Sequence, residues 1–260
     1  MSSSRAGGNR REPSKRSSGT APPSRYHLRV IDRFGRRASS VLVGIATGVV
    51  ILAVAIIAFI NPVWVSFEQG RARADAWTGY SPAQLQQATG AILSDLVVGP
   101  PNFDVVVAGQ PVLNARERAH MIDVRRVFVG LALLAAASLV VLLVGNILAC
   151  GSARFWRAVR GGAVVLAVGV LVVGVVGAFA FDATFEVFHR LFFAGGTYTF
   201  DARTDRLVQL FPDQFWFETS LALGALMLLL CVLVWRVATD RAAAGVARRH
   251  AGSAVLEPSR

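Results

Sequence analysis

From Gly161 to Phe181 the chain reads GGAVVLAVGVLVVGVVGAFAF, a run without a single charged side chain. A helix needs about 20 apolar residues to cross the hydrocarbon core of a bilayer. Because the bilayer core offers no water to the backbone, the peptide groups of such a run must bond to one another. The stretch therefore predicts a membrane-spanning helix.

Three further apolar runs have the same character and lie at about 38–60, 127–149 and 217–235. Hydrophobic residues make up 54% of the 260 residues and charged residues 17%, which excludes an ordinary soluble domain. The first run is longer than the apolar core of a cleavable signal peptide, so we expect it to remain as a helix. The predicted fold is an all-α membrane protein, a bundle of four transmembrane helices.

The distribution of arginine and lysine predicts the orientation of this bundle. Of the 27 basic residues, 18 fall in the two terminal segments and the loop between the second and third runs. The segments 62–123 and 185–217 are richer in acids. Since cytoplasmic segments carry the excess of basic residues, both termini should be cytoplasmic. We expect a disordered basic tail at 1–37, a membrane domain at 38–238, and a second cytoplasmic tail at 239–260.

The acid-rich segments 62–123 and 185–217, together called the lid here, should form a small α/β cap on the extracytoplasmic side. Helices are predicted to begin at Ser81-Pro82 and at Asn114, where Glu117 has the spacing of a capping box. The second of these should continue into the second apolar run. A helix break is predicted at Gly195-Gly196. Short strands are predicted at 103–107, 197–200 and 207–211.

Two histidines of the lid stand beside carboxylates at helical spacing. Glu117, His120 and Asp123 share one helical face, and so do Asp182, Glu186 and His189 on a predicted extension of the third span. Neutral imidazole is able to take up and return a proton near neutral pH. A carboxylate on the same face would hold one ring nitrogen and leave the other as the base. The pattern favours acid–base chemistry at a lipid surface.

Other interpretations of the histidines remain open at this stage. Two histidines and one or two carboxylates could hold zinc in a membrane hydrolase, although the sequence contains no HExxH or CxxC spacing. In a non-catalytic scaffold the histidines would only satisfy hydrogen bonds of the lid. The net charge of +11 does not indicate nucleic-acid binding, because the basic residues are placed as the membrane orientation requires.

Three motifs resemble one known family. Residues 113–124 read LNARERAHMIDV and are similar to the "E..HM.DV" segment of the lipoprotein intramolecular transacylases (Lit). Residues 188–193 read FHRLFF and resemble the "FH.lFF" segment of that family. The downstream run from Phe200 to Trp216 resembles its "fD..tD.Li.lfPe.fw" pattern. The likeness covers about residues 40–238.

This resemblance implies an activity and a site. Family members move the sn-2 acyl chain of diacylglyceryl-cysteine to its α-amino group, which gives a lyso-form lipoprotein. The catalytic histidines would be His120 and His189, and which one is base and which acid is left open. Arg190, Tyr198 and Asp205 would contact substrate or lid. No cofactor or metal is implied; the expected partners are a diacylated lipoprotein and membrane lipid, in a bacterial cytoplasmic membrane.

One departure from the family pattern falls beside the second histidine motif. Tyr198 stands where the family pattern has tryptophan, and Gly195-Gly196-Thr197 replaces more polar residues before it. The contact with substrate at this point is therefore expected to differ from that of other members.

Overall fold

The computed structural model describes residues 25–193 and 197–255, with the side chains of 35–193 and 197–247 among them. The chain divides into two units, residues 1–37 and residues 38–260. The predicted helix break at Gly195-Gly196 and residues 1–24 of the predicted tail lie outside the described residues.

The described chain is mostly helical. In chain order the helices are α1 (Arg25–Phe59), α2 (Pro62–Arg71), α3 (Ala74–Thr78), α4 (Pro82–Val97), α5 (Ala115–Leu148), α6 (Ala153–Phe179), α7 (Phe181–Phe192), α8 (Arg206–Leu210) and α9 (Asp213–Val255). Strands β1 (Val106–Val107) and β2 (Gln110–Pro111) form one antiparallel ribbon.

Four helices in this part of the chain are long and apolar enough to cross a membrane. They contain the segments Gly35–Phe59, Ala115–Leu148, Ala153–Phe179 and Asp213–Ala247. Each of the four predicted apolar runs lies within one of these helices, to within two residues at its carboxyl end. The prediction of a multi-pass helical membrane protein is therefore confirmed.

The spanning helices meet through small residues and a few apolar clusters. Ile51 of α1, Ala163 of α6 and Cys231 of α9 form one buried cluster. At Gly162 of α6 a side chain would collide with the backbone of Gly44 of α1, so the two helices touch backbone to backbone there. Close approach through small residues is how helices pack within a bilayer, where no hydrophobic force drives them together.

The lid has its own apolar core, which is drawn from both lid segments. Ile92 of α4 and Phe103 of the following loop are almost fully buried, together with Leu210 of α8. Polar links join the same parts: the side-chain amide of Gln69 donates to Thr89 Oγ1 at 2.9 Å and to the carbonyl oxygen of Leu210 at 3.0 Å. Residues 62–123 and 197–217 thus fold together above the spanning helices α5 and α9.

Helix starts in the lid follow the sequence prediction. Ser81 caps α4 in a capping box with Gln84, and Pro82 occupies the first helical position. Asn114 caps α5 in the same manner with Glu117. Helix α5 then runs without interruption through His120 into the second apolar run, as predicted.

The predicted strands of the lid are largely wrong. Only Val106–Val107 of the predicted strand 103–107 is extended in a sheet. Within the described residues, 197–200 form a turn and coil, and 207–210 belong to helix α8. A short apolar run of five residues does not by itself distinguish a helix from a strand. Leu207 and Leu210 share one helical face and are buried in the lid core, so tertiary packing favours the helix.

Helix α1 already begins at Arg25, within the segment of the predicted N-terminal tail. Extending a formed helix costs far less than nucleating one. Between Pro23 and Pro62 the sequence has no proline to stop the extension. Residues 25–37 therefore continue the first spanning helix toward the N-terminus.

Candidate active site

His120 lies on α5, shortly after the start of the helix. Its side chain is buried, with 6% of its surface exposed. Its Nδ1 atom is buried and has no hydrogen-bond partner among the described residues. Since an unpaired buried polar atom costs free energy, such an atom in a native protein points to a bound molecule or water that would satisfy it.

His189 lies on α7, which is a separate helix rather than the predicted extension of the third span. The backbone leaves helical geometry at Ala180, where φ is −142° and ψ is 56°. The Nδ1–H of His189 donates to the carbonyl oxygen of Phe185, one turn earlier, at 2.8 Å. In a neutral imidazole this bond places the proton on Nδ1, and Nε2 then carries the lone pair that a base needs.

The two imidazoles face each other. Their ring centroids are 6.1 Å apart, and the ring planes are inclined by 24°. Helices α5 and α7 thus bring together the two residues that the sequence predicted as a pair, although 68 intervening residues include two spanning segments. The burial of His120 and its closeness to a second imidazole both favour the neutral form of its ring.

Aromatic side chains enclose the pair. Phe193 lies 4.8 Å from the ring of His120 and 5.5 Å from that of His189. Phe200 contacts His120 at 5.5 Å, and Tyr198 contacts His189 at 5.1 Å, all between ring centroids. These rings exclude water from the two imidazoles. Sequence reasoning missed Phe193 and Phe200, although both stand in the motifs that carry the family resemblance.

The carboxylates predicted to orient the histidines are engaged elsewhere. Asp123 accepts a hydrogen bond from Arg126 at 2.5 Å. Glu186 accepts from Arg190 at 2.8 Å and from the hydroxyl of Tyr198 at 3.2 Å. The hydrogen bond from Arg190 lowers the pKa of the Glu186 carboxyl below its usual value, so this group stays ionised.

Asp182 is exposed in the first turn of α7. The orienting partner that the structure gives to His189 is the backbone carbonyl of Phe185, and no side-chain pattern announces a backbone contact.

Glu117 is fully buried and acts as a structural cross-link. Its Oε2 atom accepts the backbone N–H of Asn114 at 2.7 Å, and its Oε1 atom accepts the backbone N–H of Leu207 at 2.6 Å. The first bond closes the capping box of α5. The second holds the start of α8 against α5, and so joins the two lid segments beside His120.

Asp205 is a second cross-link, and it is also buried. Its carboxylate accepts from the Asn114 side chain at 2.9 Å, from Arg116 at 2.7 Å and from the backbone N–H of Asp201 at 2.8 Å. The guanidinium of Arg116 also lies over the ring of Phe200, at 5.2 Å from its centroid. Asp205 therefore positions the segment that carries Phe200 against His120.

A metal site was the competing chemical interpretation of this region. Among the described residues, no group of three or more His, Cys, Asp or Glu side chains is arranged to hold a metal ion. The carboxylates nearest to the two histidines are instead paired with Arg126 and Arg190.

A known family matches most of the chain. The model of the family described as "Lipoprotein intramolecular transacylase Lit" matches residues 41–216. This range contains both histidines and nearly all of the lid. A comparison with curated proteins finds no match.

Solved structures with a similar fold come from the same family. The membrane-integral lipoprotein intramolecular transacylase Lit from Bacillus cereus is 18% identical, with a TM-score of 0.65 over 80% of this chain and 97% of that one. A variant of it with one histidine changed to arginine is 17% identical, with a TM-score of 0.66 over 84% and 98% of the two chains.

Proposed function

Because the chain belongs to the Lit family of lipoprotein intramolecular transacylases, we propose that it moves the sn-2 acyl chain of a diacylglyceryl-cysteine to the α-amino group of that cysteine. The product is a lyso-form lipoprotein with an N-acyl cysteine and one acyl chain left on the glycerol. The observation that carries this proposal is the pair of enclosed imidazoles, 6.1 Å apart.

His189 is the base in this proposal. The α-amino group of a peptide has a pKa of about 7.7–8.0, so a neutral imidazole nearby removes its proton readily. The fixed proton on Nδ1 of His189 leaves Nε2 as the acceptor. This first proton from the α-amino group passes to water. The freed amine attacks the sn-2 ester carbonyl, a C–N bond forms, the carbonyl oxygen becomes an oxyanion, and His189 takes the second proton from the attacking nitrogen.

His120 completes the reaction from the other side. A neutral imidazole has one N–H, which is suited to donate to the oxyanion or to the departing glycerol oxygen. The intermediate collapses, the C–O bond to glycerol breaks, and the proton held by His189 passes to the glycerol oxygen. The amide, the free hydroxyl and the proton released at the start account for all atoms, and both histidines return to their starting forms.

Proximity supplies much of the rate in this scheme. Amine and ester belong to the same lipoprotein, so no second substrate has to be captured. The scheme needs no nucleotide, metal or covalent enzyme intermediate. Its partners are the diacylated lipoprotein and the lipid around its acyl chains, and no nucleic acid takes part.

We propose that the site faces the extracytoplasmic side of a bacterial cytoplasmic membrane, with both termini inside. The support is the distribution of basic residues in the sequence: 18 fall in the two terminal segments and the loop between the second and third spans, whereas the two lid segments are richer in acids. Acyl chains would remain in the bilayer while their ester reaches the histidines at the membrane surface.

One experiment tests this function. The chain is expressed in a bacterium unable to N-acylate its lipoproteins, and lipoprotein N-terminal peptides are analysed by mass spectrometry. An N-acyl, monoacylglyceryl cysteine is the expected product. A cysteine that keeps its free amino group and both glycerol esters, from cells with normal amounts of the protein in the membrane, contradicts the proposal. Addition of a chelator should leave the product unchanged, whereas a metal-dependent hydrolase would lose activity.

A further inference from the structure

A groove of about 500 Å³ lies on the face of α5 turned away from the histidines. Pro101, Ile122, Arg125, Arg126, Gly130 and Leu133 are among the residues that line it. At 3.6 residues per turn, Ile122, Arg125 and Leu133 fall on the side of α5 opposite to His120, and Gly130 lies at the edge of that side. Its volume is within the range of ligand-binding sites in proteins. The groove is therefore separate from the proposed reaction site.

The end of the groove nearest the lid is polar. Arg125 donates from Nη1 to the backbone carbonyls of Asp95 and Gly99, the latter at 2.6 Å, which fastens the end of α4 onto α5. The side chain of Arg126 is 75% exposed and pairs with Asp123. Arg126 is also the last charged residue before the apolar run of the second span. Both guanidinium groups thus stand where the bilayer surface meets the spanning helix.

The other end of the groove is apolar and open. A side chain at Gly130 would have no neighbouring atom within 4 Å. Val129 and Leu133 beside it are exposed by 46% and 68%. Gly130 therefore leaves a gap in the surface of α5 that runs from the arginines toward the middle of the span.

We propose that this groove binds one anionic glycerophospholipid from the leaflet on the lid side. Its phosphate would lie on Arg126 and Arg125, and one acyl chain would fill the gap at Gly130. Two guanidinium groups line the groove, while the carboxylates of Asp95 and Asp123 do not, so the lining favours an anion. The order of the groove, polar at the surface and apolar below, matches the order of a phospholipid.

A lipid in this groove would contact both the loop at Pro101 and α5, and so brace the lid against the second span. The test is native mass spectrometry of the detergent-purified full chain with phosphatidylglycerol or phosphatidylcholine of identical acyl chains. We expect one phosphatidylglycerol to be retained in preference. Gly130→Leu should weaken the affinity for both lipids about tenfold. Arg126→Gln should weaken the affinity for phosphatidylglycerol about tenfold and so remove the preference.

Matched controls are available elsewhere in the chain. Gly174 on α6 also has open space around it, so Gly174→Leu should leave retention unchanged. Arg203 is an exposed arginine paired with a nearby aspartate, as Arg126 is, and Arg203→Gln should be equally silent.

Equal retention of both lipids by the unmodified chain overturns the proposal, and so does a Gly130→Leu variant that retains phosphatidylglycerol undiminished. Gly130→Leu and Arg126→Gln change opposite ends of the groove. If one of them does not fold normally, as judged by its melting curve, the other still tests the proposal. No arm of this test depends on transacylase activity.

Discussion

Glu117 holds the backbone N–H of Leu207 at 2.6 Å, across 90 residues of sequence. This single hydrogen bond joins α8 to α5, in a place from which water is excluded. The same carboxylate caps α5 through Asn114. One side chain thus stabilises the start of the helix that carries His120 and fixes the second lid segment beside it.

Replacing Glu117 by alanine should therefore destabilise the protein strongly. The change leaves the buried backbone N–H of Leu207 and the part-buried N–H of Asn114 without an acceptor, which costs about 2–4 kcal/mol. The thermal midpoint in detergent should fall accordingly. Gln84 occupies the equivalent position in the exposed capping box of α4, and Gln84→Ala should cost no more than about 1 kcal/mol. Similar losses in the two variants would contradict the cross-link.

The roles proposed for the histidines are separable from their packing. His120→Phe and His189→Phe keep an aromatic ring in the enclosure but remove the nitrogens. Each should lower the rate of N-acylation by about 10²–10⁴-fold, the usual contribution of an acid or base. The measurement is the fraction of N-acyl lipoprotein peptide over time. If the protein were a non-catalytic scaffold, cells that express either variant would N-acylate lipoproteins at the same rate as cells that express the unmodified chain.

Alanine substitutions at Gly162 and Gly161 together test the packing of the spanning helices. A Cβ at Gly162 collides with the backbone of Gly44, whereas one at Gly161 meets nothing within 4 Å. Gly162→Ala should destabilise the bundle by about 1–3 kcal/mol through overpacking. Gly161→Ala should be neutral or stabilising, by up to about 1 kcal/mol, since alanine favours a helix. Thermal midpoints of the two variants in one detergent give the comparison.

Glu68 should make stability depend on pH. It is 3% exposed, and its Oε2 atom has no hydrogen-bond partner among the described residues. Burial, and then the hydrogen bond with Glu218, raise the pKa of Glu68 above its usual value. A raised pKa means that the folded state holds the proton more tightly than the unfolded chain. The stabilising contribution is complete at acidic pH and disappears as pH rises through the folded-state pKa.

Glu68→Gln, which keeps the shape without the charge, should therefore raise the thermal midpoint at pH 7–8. The gain should be of the order of 1 kcal/mol, and it should shrink as pH falls below about 5. Melting curves across this pH range measure it. The buried neighbour Gln69 keeps the same hydrogen bonds in both proteins, so these bonds do not contribute to the difference in thermal midpoint. A difference that grows toward acidic pH has the wrong sign for this account.

The bundle was predictable from sequence because its signals are long. Apolar runs of about 20 residues have few alternative structures, and the capping box at Asn114 fixes the start of α5 locally. The residues 207–211 carried no such signal. A mostly apolar run of five residues fits a strand or a helix, and the acceptor that favours the helix, Glu117, is 90 residues away.

The site was predictable in its two histidines and less so in their surroundings. Carboxylates at helical spacing suggested orienting partners, but Asp123 and Glu186 lie beside arginines that compete for them. On the exposed side of a helix, these carboxylates pair with arginine rather than with a buried imidazole. The contact that fixes His189 uses the carbonyl of Phe185, a group that every residue possesses.

The carboxylate of Asp205 touches Asn114, Arg116 and Asp201, and so ties three points of the chain to one side chain. Chimaeras between members of the family must respect this arrangement. Exchanging residues 114–117 or residues 201–207 alone would separate partners that bond to each other, whereas transplanting both as a unit would carry the whole junction into the new host.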